Sequence, residues 1–210
     1  MPSPLQSQLV VLSGPAGSGK TTLAESVLRR RPDLVHRALT ATTRAPRPGE
    51  VDGEDYLFLS HEQFAEGVRS ARFVEHKLFN GHFYGCPRDT LEEALRRPGL
   101  TLLVIEVDGA ESIRFFFPNA AYVFLAPPSQ KALRERLTRR GTETGDQLEG
   151  RLLIARQEMA RLAEYDLLIV NNDLEVAVAD LEAALQVIAR SRIVGGEAEA
   201  WEQGGYEGWR

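Results

Sequence analysis

Eight consecutive residues carry the densest chemical signal in the chain. Gly14-Pro15-Ala16-Gly17-Ser18-Gly19-Lys20-Thr21 fits G-x-x-x-x-G-K-[ST]. The glycines let successive backbone N–H groups converge on phosphate oxygens, a nest that a Cβ would obstruct. Lys20 offers a point charge to β and γ phosphates, the Thr21 hydroxyl can ligate Mg²⁺, and Thr22 follows on the same ATP side. An apolar run at 9–12 precedes the loop and a helical stretch at 21–31 follows, so the helix adds the positive end of its dipole. The pattern points to nucleoside triphosphate binding and leaves the acceptor open.

A second group lies at 42–56, Thr-Thr-Arg-Ala-Pro-Arg-Pro-Gly-Glu-Val-Asp-Gly-Glu-Asp-Tyr. Arg44 and Arg47 are three apart beside Pro46, a spacing that can aim two guanidinium forks at one phosphate. Tyr56 and Tyr84 can add hydroxyl donors. Taken singly, the arginines read equally well as solvated loop charge, and the tyrosines as packing residues.

The run T-T-R-x-P-R-x-G-E-x-x-G-x-D-Y resembles the signature of guanylate kinases, and the resemblance covers about 9–188. It implies an ATP:GMP phosphotransferase, with dGMP as a further acceptor, using Mg²⁺. Arg44, Arg47, Tyr56 and Tyr84 would then grip the GMP phosphate, and Thr40 would help hold the base. Glu75 would read guanine: a carboxylate only accepts, and the Watson–Crick edge of guanine offers N1–H and an NH₂, which adenine does not. Cys86 stands where the family has a Ser or Thr on the base; a thiol donates poorly, and a small buried hydrophobe without contact is the other reading. Arg136 would pack near adenine with Asn171, while Arg140 and Arg151 face the phosphates; Lys20, Arg44, Arg140 and Arg151 are the expected catalytic set.

One strand departs from the family pattern D-x-D-x-Q-G-A. Here Val104, Glu106 and Asp108 take the places of the two carboxylates and the Gln. Val104 cannot order a magnesium water. Glu106, counted with the GMP-binding residues, or Asp108 takes that role, and helix capping is the other reading of Asp108. Two alternatives to a full kinase are a catalytically weak binding module of the same family and a related kinase for ribose bisphosphate.

Elements must bring these groups together. Apolar runs at 9–12, 102–107, 121–125 and 167–170 read as buried parallel strands. Leu148, Leu152, Ala155, Met159 and Leu162 form one helical stripe; Leu174, Val178, Leu181, Leu185 and Ile188 form another. The expected fold is α/β: a P-loop three-layer sandwich with a central parallel sheet, an inserted monophosphate-binding lobe and a flexible lid. Core segments are 1–38, 90–130 and 153–193. The GMP lobe is 39–89, with a hairpin about Asn80-Gly81; the lid is 131–152; and the Gly- and Glu-rich 194–210 reads as a disordered tail.

Composition fits a globular domain, with 43% hydrophobic and 26% charged residues among 210. A net charge of −5 gives no long-range help to a nucleic-acid partner. Lys20, Lys77 and Lys131 are the only lysines among 25 basic residues. Lone Cys86 excludes an internal disulfide, residues 1–8 lack signal-peptide character, and no apolar stretch approaches about 20 residues. A cytoplasmic monomer or homodimer without membrane contact is expected.

Overall fold

Strand β1 (Ser7–Ser13) alternates its side chains between two cores, and that alternation organises the fold. Val10 and Leu12 pack with Leu23, Ala24 and Val27 on one side; Leu9 and Val11 pack with Leu91, Leu95 and Ile113 on the other. The computed structural model describes residues 7–79, 81–139 and 145–203.

In chain order the elements are β1, α1 (Lys20–Arg30), β2 (Val35–Arg37), β3 (Ala41–Thr42), β4 (Leu57–Phe58), α2 (His61–Arg69), β5 (Phe73–Phe79), β6 (His82–Pro87) and α3 (Arg88–Leu95). There follow β7 (Gly99–Val104), α4 (Val107–Phe116), β8 (Ala121–Ala126), α5 (Gln130–Arg139), α6 (Gly145–Ala160), β9 (Leu167–Val170) and α7 (Leu174–Gln203). A parallel sheet in the order β2-β7-β1-β8-β9 forms the middle layer. Helices α1 and α7 cover one face through Val178, Leu181 and Leu185. Helices α3 and α4 cover the other through Leu91, Ala94, Ala110 and Ile113. Each fully buried Val or Leu contributes about 1.5–3 kcal/mol, so these two apolar layers dominate stability.

Two strands differ from expectation. The run 102–107 pairs only to Val104, in register with Leu12; Ile105 N–H still donates to Leu12 O, and Glu106 stands at the N-cap position of α4 without a side-chain capping bond. Strand β9 is an edge, paired only with β8, so Leu167, Leu168 and Val170 are exposed rather than buried.

The inserted lobe is a second sheet, β4-β3-β6-β5, in which β6 pairs antiparallel with both β3 and β5. Stacked rings hold helix α2 onto it: Phe64 lies 4.3 Å from Phe73 and 5.3 Å from Phe83 between centroids. Ser60 and Gln63 close a reciprocal capping box at the start of α2. Helices α5 and α6 meet through Leu133, Leu137, Leu152 and Ala155. Of the segment 194–210, residues through Gln203 continue α7, because Glu197 to Gln203 is rich in helix formers after Gly195-Gly196. The rest lies outside the described residues.

Candidate functional site

Side chains from the elements around it fix the loop between β1 and α1. Lys20, only 8% exposed, donates to Gly14 O at 2.7 Å and to Pro15 O at 3.2 Å, and reaches the Glu106 carboxylate at 2.9 Å. Its ammonium is therefore poised at the loop rather than free in solvent. Gly19 has φ +102, and a Cβ there would collide with the Asn171 side-chain nitrogen, so glycine is required twice over. Asn171 Nδ2 donates to Ser18 O at 2.7 Å, while Arg136 donates to Ser18 O at 3.3 Å and to Asn171 O at 2.7 Å. Arg136 and Asn171 thus brace the loop from behind. Neither lines the cleft described next, and neither do Gly14, Pro15 or Ser18, whose own amide donates to Pro15 O.

That cleft, about 600 Å³, runs between the loop and the inserted lobe. Ala16, Gly17, Gly19, Lys20, Thr21 and Thr22 form its core wall, with Val104, Ile105 and Glu106 at the end of β7. Thr40, Arg44, Arg47, Tyr56, Glu75, Tyr84 and Gly85 form the lobe wall, and Arg151 projects from α6. The sequence-predicted residues of the two groups therefore face one space. Arg140 lies outside the described residues.

The lobe wall is ordered by carboxylates of its own signature. Glu50 accepts from both terminal guanidinium nitrogens of Arg44 at 2.8 and 2.9 Å, and from Arg47 N–H at 2.7 Å. The Arg44 guanidinium also sits 5.4 Å from the centre of the Tyr56 ring. Asp55 accepts from Val51 N–H at 2.8 Å and from Arg37, and Asp52 accepts from Phe58 N–H at 2.9 Å. The acidic residues of the run thus fold the loop that presents the arginines. Glu50 was legible in the G-E step but carried no assigned task.

Strand β5 alternates Glu75, Lys77 and Phe79 into the cleft, while His76 and Leu78 point out. Burial pushes the Glu75 carboxyl up to about 7, against the opposing pull of Lys77 and the backbone amide of Cys86. Gly109 of α4 leaves room for this carboxylate: a Cβ there would stand 3.2 Å from Glu75 Oε2 and 2.6 Å from Ile105 Cγ1. Cys86 is placed behind the cleft wall. Its thiol is fully buried in the core with Val74, Leu91 and Leu103, does not line the cleft, and has its ionisation pushed up by burial.

Lys77, Phe79, His82 and Ile105 belong to the cleft without having been singled out as site residues. The alternation from Glu75 was the available signal for Lys77 and Phe79. Glu158 was also missed. It is 7% exposed on α6, two turns beyond Arg151 on the same helical face, and burial together with Glu106 pushes it up to about 7. Its position one residue from an apolar stripe hid it.

For a magnesium ion the donor set fits. Mg²⁺ keeps several waters and takes one or two protein oxygens plus substrate phosphates. Exposed Thr21 at the head of α1 supplies a hydroxyl at the cleft wall beside Lys20, and among the described residues no cluster of three or more acidic, His or Cys ligands competes. No helix among the described residues is long and apolar enough to cross a membrane.

Comparison with known proteins agrees with this geometry. The family model described as guanylate kinase matches residues 6–188. A guanylate kinase of Frankia casuarinae is 48% identical over 177 residues, 84% of this chain and 96% of that protein. One from Nostoc sp. is 41% identical over 183 residues, 87% of this chain and 92% of that protein. The crystal structure of guanylate kinase from Anaplasma phagocytophilum superposes with a TM-score of 0.69 at 31% identity, covering 88% of this chain and 87% of that one.

Proposed function

The chain belongs to the guanylate kinase family, and from that premise we propose how its residues transfer a phosphoryl group from ATP to GMP, giving ADP and GDP. One observation carries the reading. A single cleft has Lys20 and Thr21 on one wall and Arg44, Arg47, Tyr56, Tyr84 and Glu75 on the other. A triphosphate donor and a monophosphate acceptor can meet in it head to head.

No nucleophilic side chain is needed, because a GMP phosphate oxygen attacks the γ phosphorus in line. The new O–P bond forms as the bond to the β-phosphate oxygen breaks, and ADP leaves. Catalysis is positioning and charge neutralisation. Lys20 turns from the Gly14 and Pro15 carbonyls to the β and γ oxygens, with Glu106 holding its far side. Arg44 and Arg47, with the Tyr56 and Tyr84 hydroxyls, hold the acceptor phosphate. Glu50 pre-sets the Arg44 fork, so little rotamer freedom is lost when the phosphate arrives. Glu75 accepts from guanine N1–H and NH₂, which excludes adenine. Arg151 brings positive charge from α6, and Arg140 is assigned the same task. Arg136 and Asn171 serve the adenine side indirectly, by bracing the loop. Thr21 would hold Mg²⁺ together with the substrate phosphates, and the bound ion would supply charge neutralisation. Glu106 replaces the carboxylate the family has there and is spent on Lys20. A coupled assay of ADP release with ATP, Mg²⁺ and GMP tests the reading. GMP-dependent ADP release that is lost in Arg44→Met supports it, and no ADP release above the ATP-only background defeats it.

A further inference from the structure

Lys77 is one of only three lysines in a chain that otherwise takes its positive charge from arginine, and like Lys20 it lines the cleft. It stands two residues after Glu75 on β5, so the two side chains leave the same face of the strand. Its ammonium lies 3.8 Å from Asp108 Oδ2 in the first turn of α4 and 5.6 Å from the centre of the Phe79 ring. Asp108 is held in turn by Arg161, 3.5 Å away, just beyond the end of α6. Two residues earlier, Glu106 holds Lys20. The start of α4 therefore carries two carboxylates, each paired to one cleft lysine, one from the donor loop and one from the acceptor lobe.

We propose that Lys77 is a positioning residue for guanine recognition: anchored on Asp108, its ammonium keeps the neighbouring Glu75 carboxylate charged and aimed into the cleft. The inference rests on the reading of Glu75 as the guanine acceptor. A protonated Glu75 would present an O–H to a base edge that itself offers only N–H groups there, so charge at this carboxyl is what selects guanine. Burial works against that charge. Among the described residues, these charged and titratable groups surround it. Lys77 lies on its own strand; the Cys86 amide and thiol and Tyr84 lie on β6; and Asp108, beside Gly109, lies on α4. Arg44 and Arg47 face it from the lobe, with Arg44 already paired with Glu50, and Arg151 of α6 shares the cleft, 5.7 Å from the centre of the Phe79 ring; Glu106 and Glu158 lie toward the core, the former on Lys20. Lys77 is the cation that opposes the burial of Glu75.

The test is the pH dependence of kcat/KM for GMP in the parent protein, Lys77→Met and Lys77→Arg. The second ionisation of the GMP phosphate is common to all three and cancels in their ratios. In Lys77→Met the acidic limb is expected to move up by roughly half to one pH unit. The loss then amounts to about two- to fivefold at pH 7 and nearly vanishes by pH 9. It appears in KM for GMP rather than in kcat, KM for ATP is unchanged, and Lys77→Arg keeps the parental limb. Superimposable profiles for parent and Lys77→Met overturn the inference, as does a loss equal at every pH, or Lys77→Arg behaving like Lys77→Met. A parent that phosphorylates GMP while any of these holds leaves the proposed function standing; a parent that does not distinguish GMP from AMP overturns both.

Discussion

Replacing Glu75 with Gln removes one charge and little volume, at a carboxyl whose surroundings are defined on three sides. The Cys86 amide and Lys77 favour its ionised form, and Gly109 leaves the space it fills. Guanine offers it two N–H donors. A hydrogen bond to a charged acceptor is worth about 1.5–3 kcal/mol, and Gln would keep one acceptor while turning its NH₂ against the second donor. A loss of about 3–4 kcal/mol follows, or roughly 10²- to 10³-fold in kcat/KM for GMP at pH 8. The carboxyl sits at about 7 in the free protein. Roughly nine-tenths of the parent is therefore competent at pH 8 and about one-tenth at pH 6. The parent-to-variant ratio should shrink about tenfold between those pH values, because a protonated Glu75 and a Gln are near equivalents. Initial rates of ADP formation against GMP concentration at both pH values measure it. A ratio below about fivefold at pH 8 would refute the assignment of Glu75, and the same ratio at pH 6 and pH 8 would refute the raised ionisation of its carboxyl.

Lys20→Met should reduce kcat by about 10²- to 10³-fold, read in the same coupled assay, since one preorganised charge on the transferring group is lost; an effect under tenfold would remove Lys20 from the transfer step. Gly109→Ala places a Cβ against Ile105 and near Glu75 Oε2, so KM for GMP should rise several-fold with KM for ATP unchanged, and equal changes in both would contradict the fit. Glu158 has a folded-state value of about 7, raised above its ordinary one by burial and Glu106. Stability from this group is thus fully present below the ordinary carboxylate range and is lost as pH rises through about 7. Glu158→Gln should therefore raise the Tm at pH 8 and leave it nearly unchanged at pH 4.5; thermal unfolding at the two pH values decides, and an identical shift at both counts against it.

The donor side of the site was legible because its chemistry is local. Gly14 to Thr21 are contiguous, and the strand and helix that position them flank them directly. The acceptor side was legible as a signature, but its internal logic was not. The tasks of Glu50, Asp52 and Asp55 in shaping the loop depend on which backbone amides face them, which spacing alone does not state. Lys77 and Asp108 are remote in sequence and meet only because α4 packs on β5. The run 102–107 reads as one strand by hydrophobicity, yet pairing stops at Val104 and Glu106 is freed to reach Lys20. Likewise, 167–170 looks like a central strand by composition; that it is an edge follows from the sheet order, which hydrophobicity does not encode. The burial of Cys86 depends on Leu91 of α3 and Leu103 of β7, which lie on other elements and which spacing does not bring to it.

The central claim is that one cleft holds both nucleotides end to end, with Lys20 on the donor and Arg44 and Arg47 on the acceptor. An adenosine and a guanosine joined through a five-phosphate bridge spans both walls at once. Steady-state inhibition by that compound should be competitive against ATP and also against GMP, with tighter binding than either half alone. Competition against only one substrate, or affinity no better than that of the tighter half, would contradict a shared cleft.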